Sequence, residues 1–219
     1  MKVLLVEDDP SLREGMGEVI ADLVEVRMAA SVDSALAALR EERFDLVMAD
    51  LRIGASSTGG RTILDAARRR LQPVAIVSAA EPEEIRRALE PFEADALLAK
   101  PFQLDEMTEL VERFLSLRNE LEQLSSPRPP GAAWTQAAAG VQVARAASGQ
   151  QVSWVRIEAG ASVTWPVPEA KAGCLLVEGE LEIAGERQRA PQYFFLSASQ
   201  PREARTEQGC LVVTMALRG

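Results

Sequence analysis

The chain has no histidine, only two cysteines and one tyrosine in 219 residues, and no apolar run near the ~20 residues of a membrane span. Without imidazole, a transition-metal centre built on ring nitrogen is excluded. Cys174 and Cys210 are a lone distant pair, which suits reduced thiols better than a disulfide framework. They read as small buried hydrophobes, and as a redox pair only if neighbouring strands bring them together. Met1-Lys2 leads directly into apolar residues, so no signal peptide and a cytoplasmic location are expected. A basic excess is missing too. Residues 1–124 hold 25 acids against 15 bases, and residues 125–219 hold 8 against 9, so the net charge of −9 sits in the first half. Neither half shows the basic face of a nucleic-acid binder, and no helix-turn-helix pattern is visible. The one dense basic run, Arg68-Arg69-Arg70, falls late in an expected helix, where cations suit the dipole, and reads as a solvated face.

The first half instead holds four short apolar runs, each closed by a polar landmark. Val3-Leu4-Leu5-Val6 precedes Asp8-Asp9, and Leu46-Val47-Met48-Ala49 precedes Asp50. Val74-Ala75-Ile76-Val77 precedes Ser78, and Ala96-Leu97-Leu98-Ala99 precedes Lys100-Pro101. Runs of this length, separated by helix-length amphipathic segments, predict buried parallel strands of an α/β sheet. In an open sheet the ligand crevice lies outside the carboxyl ends of the strands, so all four landmarks converge there.

The chemistry open to that set is narrow. Asp8, Asp9 and Asp50 repel one another unless a cation joins them, and an all-oxygen donor set favours a hard ion such as Mg2+. An aspartate beside such an ion can attack a phosphoryl group and hold it as an acyl phosphate. The Ser78 hydroxyl and the Lys100 ammonium suit phosphoryl oxygens.

The motifs VLLVEDDPSLR, DLVMADLRI, AIVSAAE and LLAKPF, in this order and spacing, resemble the receiver domain of bacterial response regulators over residues 1 to about 118. The resemblance implies a doubly wound five-stranded parallel sheet of flavodoxin-like strand order. It makes Asp50 the phosphoacceptor, and Asp8, Asp9, Asp50 and the Arg52 carbonyl the Mg2+ ligands. Ser78 becomes the switch hydroxyl, Lys100 the phosphate-sensing lysine and a sensor histidine kinase the phosphoryl source. Two positions depart from the pattern. Leu97, three residues before Lys100, stands where the family usually carries an aromatic, and Gly54-Ala55-Ser56-Ser57-Thr58-Gly59-Gly60 replaces a shorter, proline-bearing loop. Its glycines and serines suggest mobility.

Beyond Pro101-Phe102 a helix is expected to outrun the receiver. Met107, Leu110, Phe114, Leu117, Leu121 and Leu124 follow a 3-4-3-4-3 seam. Leu117, Leu121 and Leu124 need a partner, either a second copy in a homodimer or the domain that follows. Ser125-Ser126-Pro127-Arg128-Pro129-Pro130-Gly131 then marks a linker, giving a receiver over 1–118, a connector over 119–133 and a second domain over 134–219.

In that second domain the period becomes two. Val152–Ile157, Ser162–Trp165 and Leu181–Ile183 alternate, and Gly160, Gly173, Gly179, Gly185 and Gly209 punctuate them, which predicts a small antiparallel barrel or sandwich. Ile157-Glu158-Ala159-Gly160-Ala161, the run Cys174–Leu181 and the closing Gly209–Thr214 resemble the small cupin-like domains of bacterial regulators. The cupin metal positions fall on Pro166, Pro168, Ala172 and, near the end, Arg202, none of them a matching ligand, so no transition metal is expected. Trp154, Trp165, Tyr193, Phe194 and Phe195 either line a pocket or fill the core, and core filling is the commoner role.

The expected whole is a two-component response regulator, not an enzyme apart from phosphoryl transfer to and from Asp50. Its output would run through a metal-free cupin-like barrel that binds a protein, a small ligand or a second copy. The competing expectation is a phosphorylation-independent scaffold using a receiver fold, which Leu97 and the altered loop favour. Metal-free catalysis in the barrel, a third reading, has no nucleophile–base pair behind it.

Overall fold

The computed structural model describes residues 1–54, 58–124, 133–146, 152–165, 171–197 and 202–218. The chain divides into two compact units, Met1–Leu115 and Ser116–Gly219.

In the first unit, strands β1 (Lys2–Val6), β2 (Glu25–Ala29), β3 (Leu46–Asp50), β4 (Val74–Ser78) and β5 (Ala96–Ala99) alternate with helices. These are α1 (Pro10–Ala21), α2 (Val32–Glu41), α3 (Gly59–Arg69), α4 (Pro82–Leu89) and α5 (Leu104–Gln123). All five strands are parallel, in the order β2-β1-β3-β4-β5, the flavodoxin-like order expected. Central strands buried on both faces need apolar residues at every position, and Val3 to Val6, Leu46 to Ala49 and Val74 to Val77 are all buried. On the edge strand β5 burial alternates, so Leu97 stands out at 48 % exposure between buried Ala96 and Leu98. Local signals start the helices. Asp9 caps α1 ahead of Pro10, and Ser31 with Ser34 forms a reciprocal capping box on α2.

The arginine run is not a solvated face. Arg68 is buried and pairs with buried Asp95 at 2.6 Å, and it also donates to the Glu93 carbonyl at 2.6 Å. Asp95 accepts the Val74 amide at 2.8 Å, so the pair pins the starts of β4 and β5. Arg70 donates to the Leu39 carbonyl, and only Arg69 remains exposed, paired with Asp65. Position in the tertiary fold, not the local charge run, decides which of three adjacent arginines is solvated.

The second unit begins inside α5, and among its described residues are nine strands. They are β6 (Thr135–Ala138), β7 (Val141–Arg145), β8 (Val152–Ile157), β9 (Ser162–Trp165), β10 (Ala172–Ile183), β11 (Glu186–Arg189), β12 (Gln192–Leu196), β13 (Arg202–Arg205) and β14 (Cys210–Ala216). All pair antiparallel, along β6-β7-β8-β14-β10-β13-β9, with β11 and β12 also on β10. The twelve-residue β10 is the spine. Its first half lies between β14 and β12, its second between β11 and β13, and the sheet curls into a half-barrel. That is compatible with the all-β expectation. Of the positions on which a cupin's ligands were expected to fall, Ala172 is buried at the start of β10 and Arg202 opens β13 opposite Trp165; Pro166 and Pro168 lie outside the described residues, as does the linker over 125–131.

Leu117 and Leu121 in the last turns of α5 are buried, and they fill the space above Gly173 on β10. A Cβ on Gly173 would lie 2.9 Å from a δ-carbon of each. Arg118 stacks over the Tyr193 ring at 5.8 Å, and Arg218 pairs with Glu120 at 3.1 Å. The two leucines are therefore covered by their own unit, the domain that follows, which is the second of the two partners expected for them; Leu124 is half-buried. Trp154, Trp165, Tyr193, Phe194 and Phe195 are all buried. The two cysteines lie on adjacent strands but out of register, Cys174 opposite Thr214 and Cys210 opposite Gly179. Four residues of offset separate them by roughly 13 Å, at ~3.3 Å per residue, too far for a disulfide. Burial pushes the Cys174 thiol far up and the Cys210 thiol up to about 12, so both are inert.

Candidate functional site

Four strand ends build the site. Glu7 follows β1, Asp50 closes β3, Ser78 closes β4, and Lys100 follows β5. Lys100 Nζ donates to Asp50 Oδ2 at 2.5 Å and to Glu7 Oε2 at 2.7 Å. The Lys100 amide donates to the Ser78 carbonyl at 2.8 Å, which fixes the base of its side chain against β4. Ser78 is buried, and its hydroxyl oxygen accepts the Ala80 amide at 3.1 Å. The turn after β3 binds two acids through its backbone: the Arg52 amide donates to Asp50 Oδ1 and the Gly54 amide to Asp8 Oδ2, both at 2.9 Å.

The structure places Asp50, Ser78 and Lys100 at the carboxyl ends of β3, β4 and β5, with Asp8 tied to the same turn as Asp50. The Asp9 amide donates to Glu7 Oε1 at 3.3 Å, but the residue is exposed and its carboxylate turns away to accept the Leu12 amide at 2.8 Å as the N-cap of α1. Glu7, only 3 % exposed, is the acid that sequence reasoning missed. The signal was present. An aspartate immediately before Pro10 at the start of a helix is an N-cap, which shifts the inward pair one residue back to Glu7 and Asp8. The glycines of the following loop also differ from expectation. Gly59 and Gly60 belong to the first turn of α3, and a Cβ on Gly60 would sit 2.7 Å from the Asp50 carbonyl oxygen and the Leu51 Cα. Close approach to the backbone beside Asp50 requires that glycine; residues 55–57 lie outside the described residues.

Two opposed effects set the charges. Burial, with the Asp50 charge adding to it, holds the Glu7 carboxyl above its usual range even though Lys100 pulls it down. Burial alone would lower the Lys100 ammonium, but its hydrogen bonds to Asp50 and Glu7 outweigh that and leave it raised and charged. Among the described residues, no three acids meet at metal-ligand geometry as they stand, and the Lys100 ammonium joins Glu7 and Asp50. The available donors are nonetheless carboxylates and carbonyls, the chemistry of a hard divalent cation.

A five-stranded doubly wound sheet with carboxylates, a buried hydroxyl and a lysine at its strand ends defines the first unit as a receiver-type domain. The family model described as "Response regulator receiver domain" matches residues 3–112, half of the chain, and the chain belongs to that family. Among curated proteins it is similar to the Probable C4-dicarboxylate response regulator DctR of Bacillus subtilis (strain 168), 30 % identical over 126 residues, 55 % of each chain. The chain thus matches about half the length of that relative. Among solved structures it is similar to NtrX from Brucella abortus in complex with ATP, with 26 % identity and a TM-score of 0.50 over 60 % of this chain and 30 % of that one. It is also similar to the Francisella response regulator 1452 receiver domain, with 24 % identity and a TM-score of 0.47 over 52 % of this chain and 96 % of that one.

Proposed function

We propose that the chain is a two-component response regulator in which Asp50 accepts a phosphoryl group from a sensor histidine kinase. The observation that carries this reading is Lys100 shared between Asp50 and Glu7 at the carboxyl ends of the strands. A carboxylate oxygen of Asp50 attacks phosphorus, a P–O bond to Asp50 forms, and the bond to the donor's leaving group breaks. Later a water attacks phosphorus and that P–O bond breaks, returning the carboxylate and inorganic phosphate. Lys100 stands ready to hold a phosphoryl oxygen, and Ser78 supplies a hydroxyl once its site is rearranged. Asp8, Asp50 and the Arg52 carbonyl would hold Mg2+, with Glu7 near them in the place first given to Asp9. The bound ion supplies charge neutralisation between acid and incoming phosphate.

The second unit is the output in this reading, a cupin-like sheet without imidazole that acts by binding a protein or a small ligand. A cytoplasmic setting suits it, and among the described residues no helix is long and apolar enough to cross a membrane. The phosphorylation-independent scaffold keeps one observation in its favour, the aliphatic, already outward Leu97. Incubation with acetyl phosphate and Mg2+ decides between them. One phosphoryl mass, base-labile and lost in Asp50→Ala, is the expected result; no gain with any small donor or kinase sinks the phosphorylation reading.

A further inference from the structure

The Arg52 side chain, beside the crevice, has had no task so far. Its backbone is anchored at the proposed phosphoacceptor, where its amide donates to Asp50 Oδ1 at 2.9 Å. Its guanidinium reaches away and pairs with Glu84 in the first turn of α4. Glu83, beside it, is served from within α4 by Arg86 at 2.7 Å and Arg87 at 3.3 Å, whereas the partner of Glu84 comes from the turn after β3. This ion pair therefore links that turn to α4.

We propose that Arg52 is a phosphoryl-binding arm that Glu84 holds at rest. When Asp50 carries a phosphoryl group, the guanidinium leaves Glu84 for the phosphoryl oxygens, and α4 loses its tie to the turn. The inference rests on Asp50 being the phosphoacceptor.

Charge and geometry both favour the exchange. Arg52 and Glu84 are exposed at 63 % and 53 %, and an exposed ion pair resists separation only weakly. A phosphoryl group brings roughly −1.5 to −2 charges and three acceptor oxygens, and a guanidinium fork matches it bidentately. Lys100 is already shared between Asp50 and Glu7, so a second cationic side chain adds to what Lys100 and a bound Mg2+ supply. Arg52 starts two residues from Asp50, so only its side chain need turn.

The test compares the full chain with Arg52→Gln and Glu84→Gln after acetyl phosphate and Mg2+. Two quantities are read: the lifetime of the phosphoryl group by intact mass once donor is removed, and hydrogen exchange of the α4 amides before and after loading. Both variants should loosen α4 at rest by about two- to five-fold, the scale of one exposed ion pair, towards the level of the loaded wild type. Arg52→Gln should also shorten the phosphoryl lifetime by about the same factor, while Glu84→Gln should keep or extend it. If the wild type takes up phosphoryl yet Arg52→Gln matches it in lifetime and in the loading-dependent exchange of α4, the arm is wrong and the reading of Asp50 stands. If the wild type takes up none, both fall together.

Discussion

At the scale of single residues, the three consecutive acids Glu7, Asp8 and Asp9 have three different tasks. Asp9 satisfies an orphan amide at the head of α1, Asp8 accepts from the Gly54 turn, and Glu7 is buried against Lys100. Loss of an N-cap costs about 1 kcal/mol, so Asp9→Ala should lower stability by that amount and leave phosphorylation within about twofold. Asp8→Ala should abolish phosphorylation in the same acetyl phosphate assay; equal effects of the two would return Asp9 to the cation site. Glu7 predicts a pH effect with a definite sign. Its folded pKa is raised, first by burial and then by the Asp50 charge, so the protonated form is the better folded one. Its stabilising contribution is present below the ordinary carboxylate range and is lost as pH rises through the raised value. Glu7→Gln should therefore match the acidic state of the wild type. Urea unfolding at neutral pH should show it at least as stable as wild type, and the gap should close as pH falls into the range where Glu7 protonates. A variant less stable at neutral pH would mean that the Lys100 pair outweighs burial. Lys100 is raised as well, so its own contribution persists through neutral pH and fades only on passing its alkaline pKa.

At the scale of elements, legibility followed how local each cause is. The strands were readable because a parallel strand buried on both faces must be apolar throughout, and the polar residue ending each run had to lie at the sheet edge. The identity of the buried acid was harder to read: one residue of register separates Glu7 from its neighbours, and the clue lay in a helix cap. Arg68 was not readable at all, because its partner Asp95 is distant in sequence and an arginine run looks alike whether paired or solvated. The role of Gly60 was hidden for the same reason. Its lack of a side chain answers to the backbone of Asp50 and Leu51, which only the packed α3 brings close. Gly60→Ala forces a Cβ to 2.7 Å from that backbone, which has no flexible end to yield. It should cost about 1–3 kcal/mol, the range of overpacking, and should slow phosphorylation by acetyl phosphate, because the strand end carrying Asp50 must shift. A variant of wild-type stability and rate would show that α3 simply slides outwards.

At the scale of the whole molecule, the chain divides into two compact units, and the division falls within α5. Met107, Val111 and Phe114 are buried on the receiver side of the division, while Leu117 and Leu121 are buried on the other. The sequence pattern read α5 as a single seam, since 3-4 spacing records which face is apolar and not what covers it. Charge divides along nearly the same line, with the acidic excess in the first half and near neutrality in the second. The three tryptophans, Trp134, Trp154 and Trp165, all lie in the second unit, and among the described residues every helix but the end of α5 lies in the first. Tryptophan emission therefore follows the β-unit during unfolding, and far-UV helical signal follows the receiver. Leu121→Ala removes a fully buried side chain and should destabilise by about 2–5 kcal/mol. That loss should be read mainly in the emission transition although Leu121 stands in a receiver-derived helix. Arg68→Ala, by contrast, removes the buried guanidinium that pairs with Asp95, and breaking a buried pair costs about 3–5 kcal/mol, which should be read in the helical signal. Urea titrations of both variants, followed by both probes, check the assignment. If Leu121→Ala moves only the helical signal, the last turns of α5 belong to the receiver and the boundary lies beyond them.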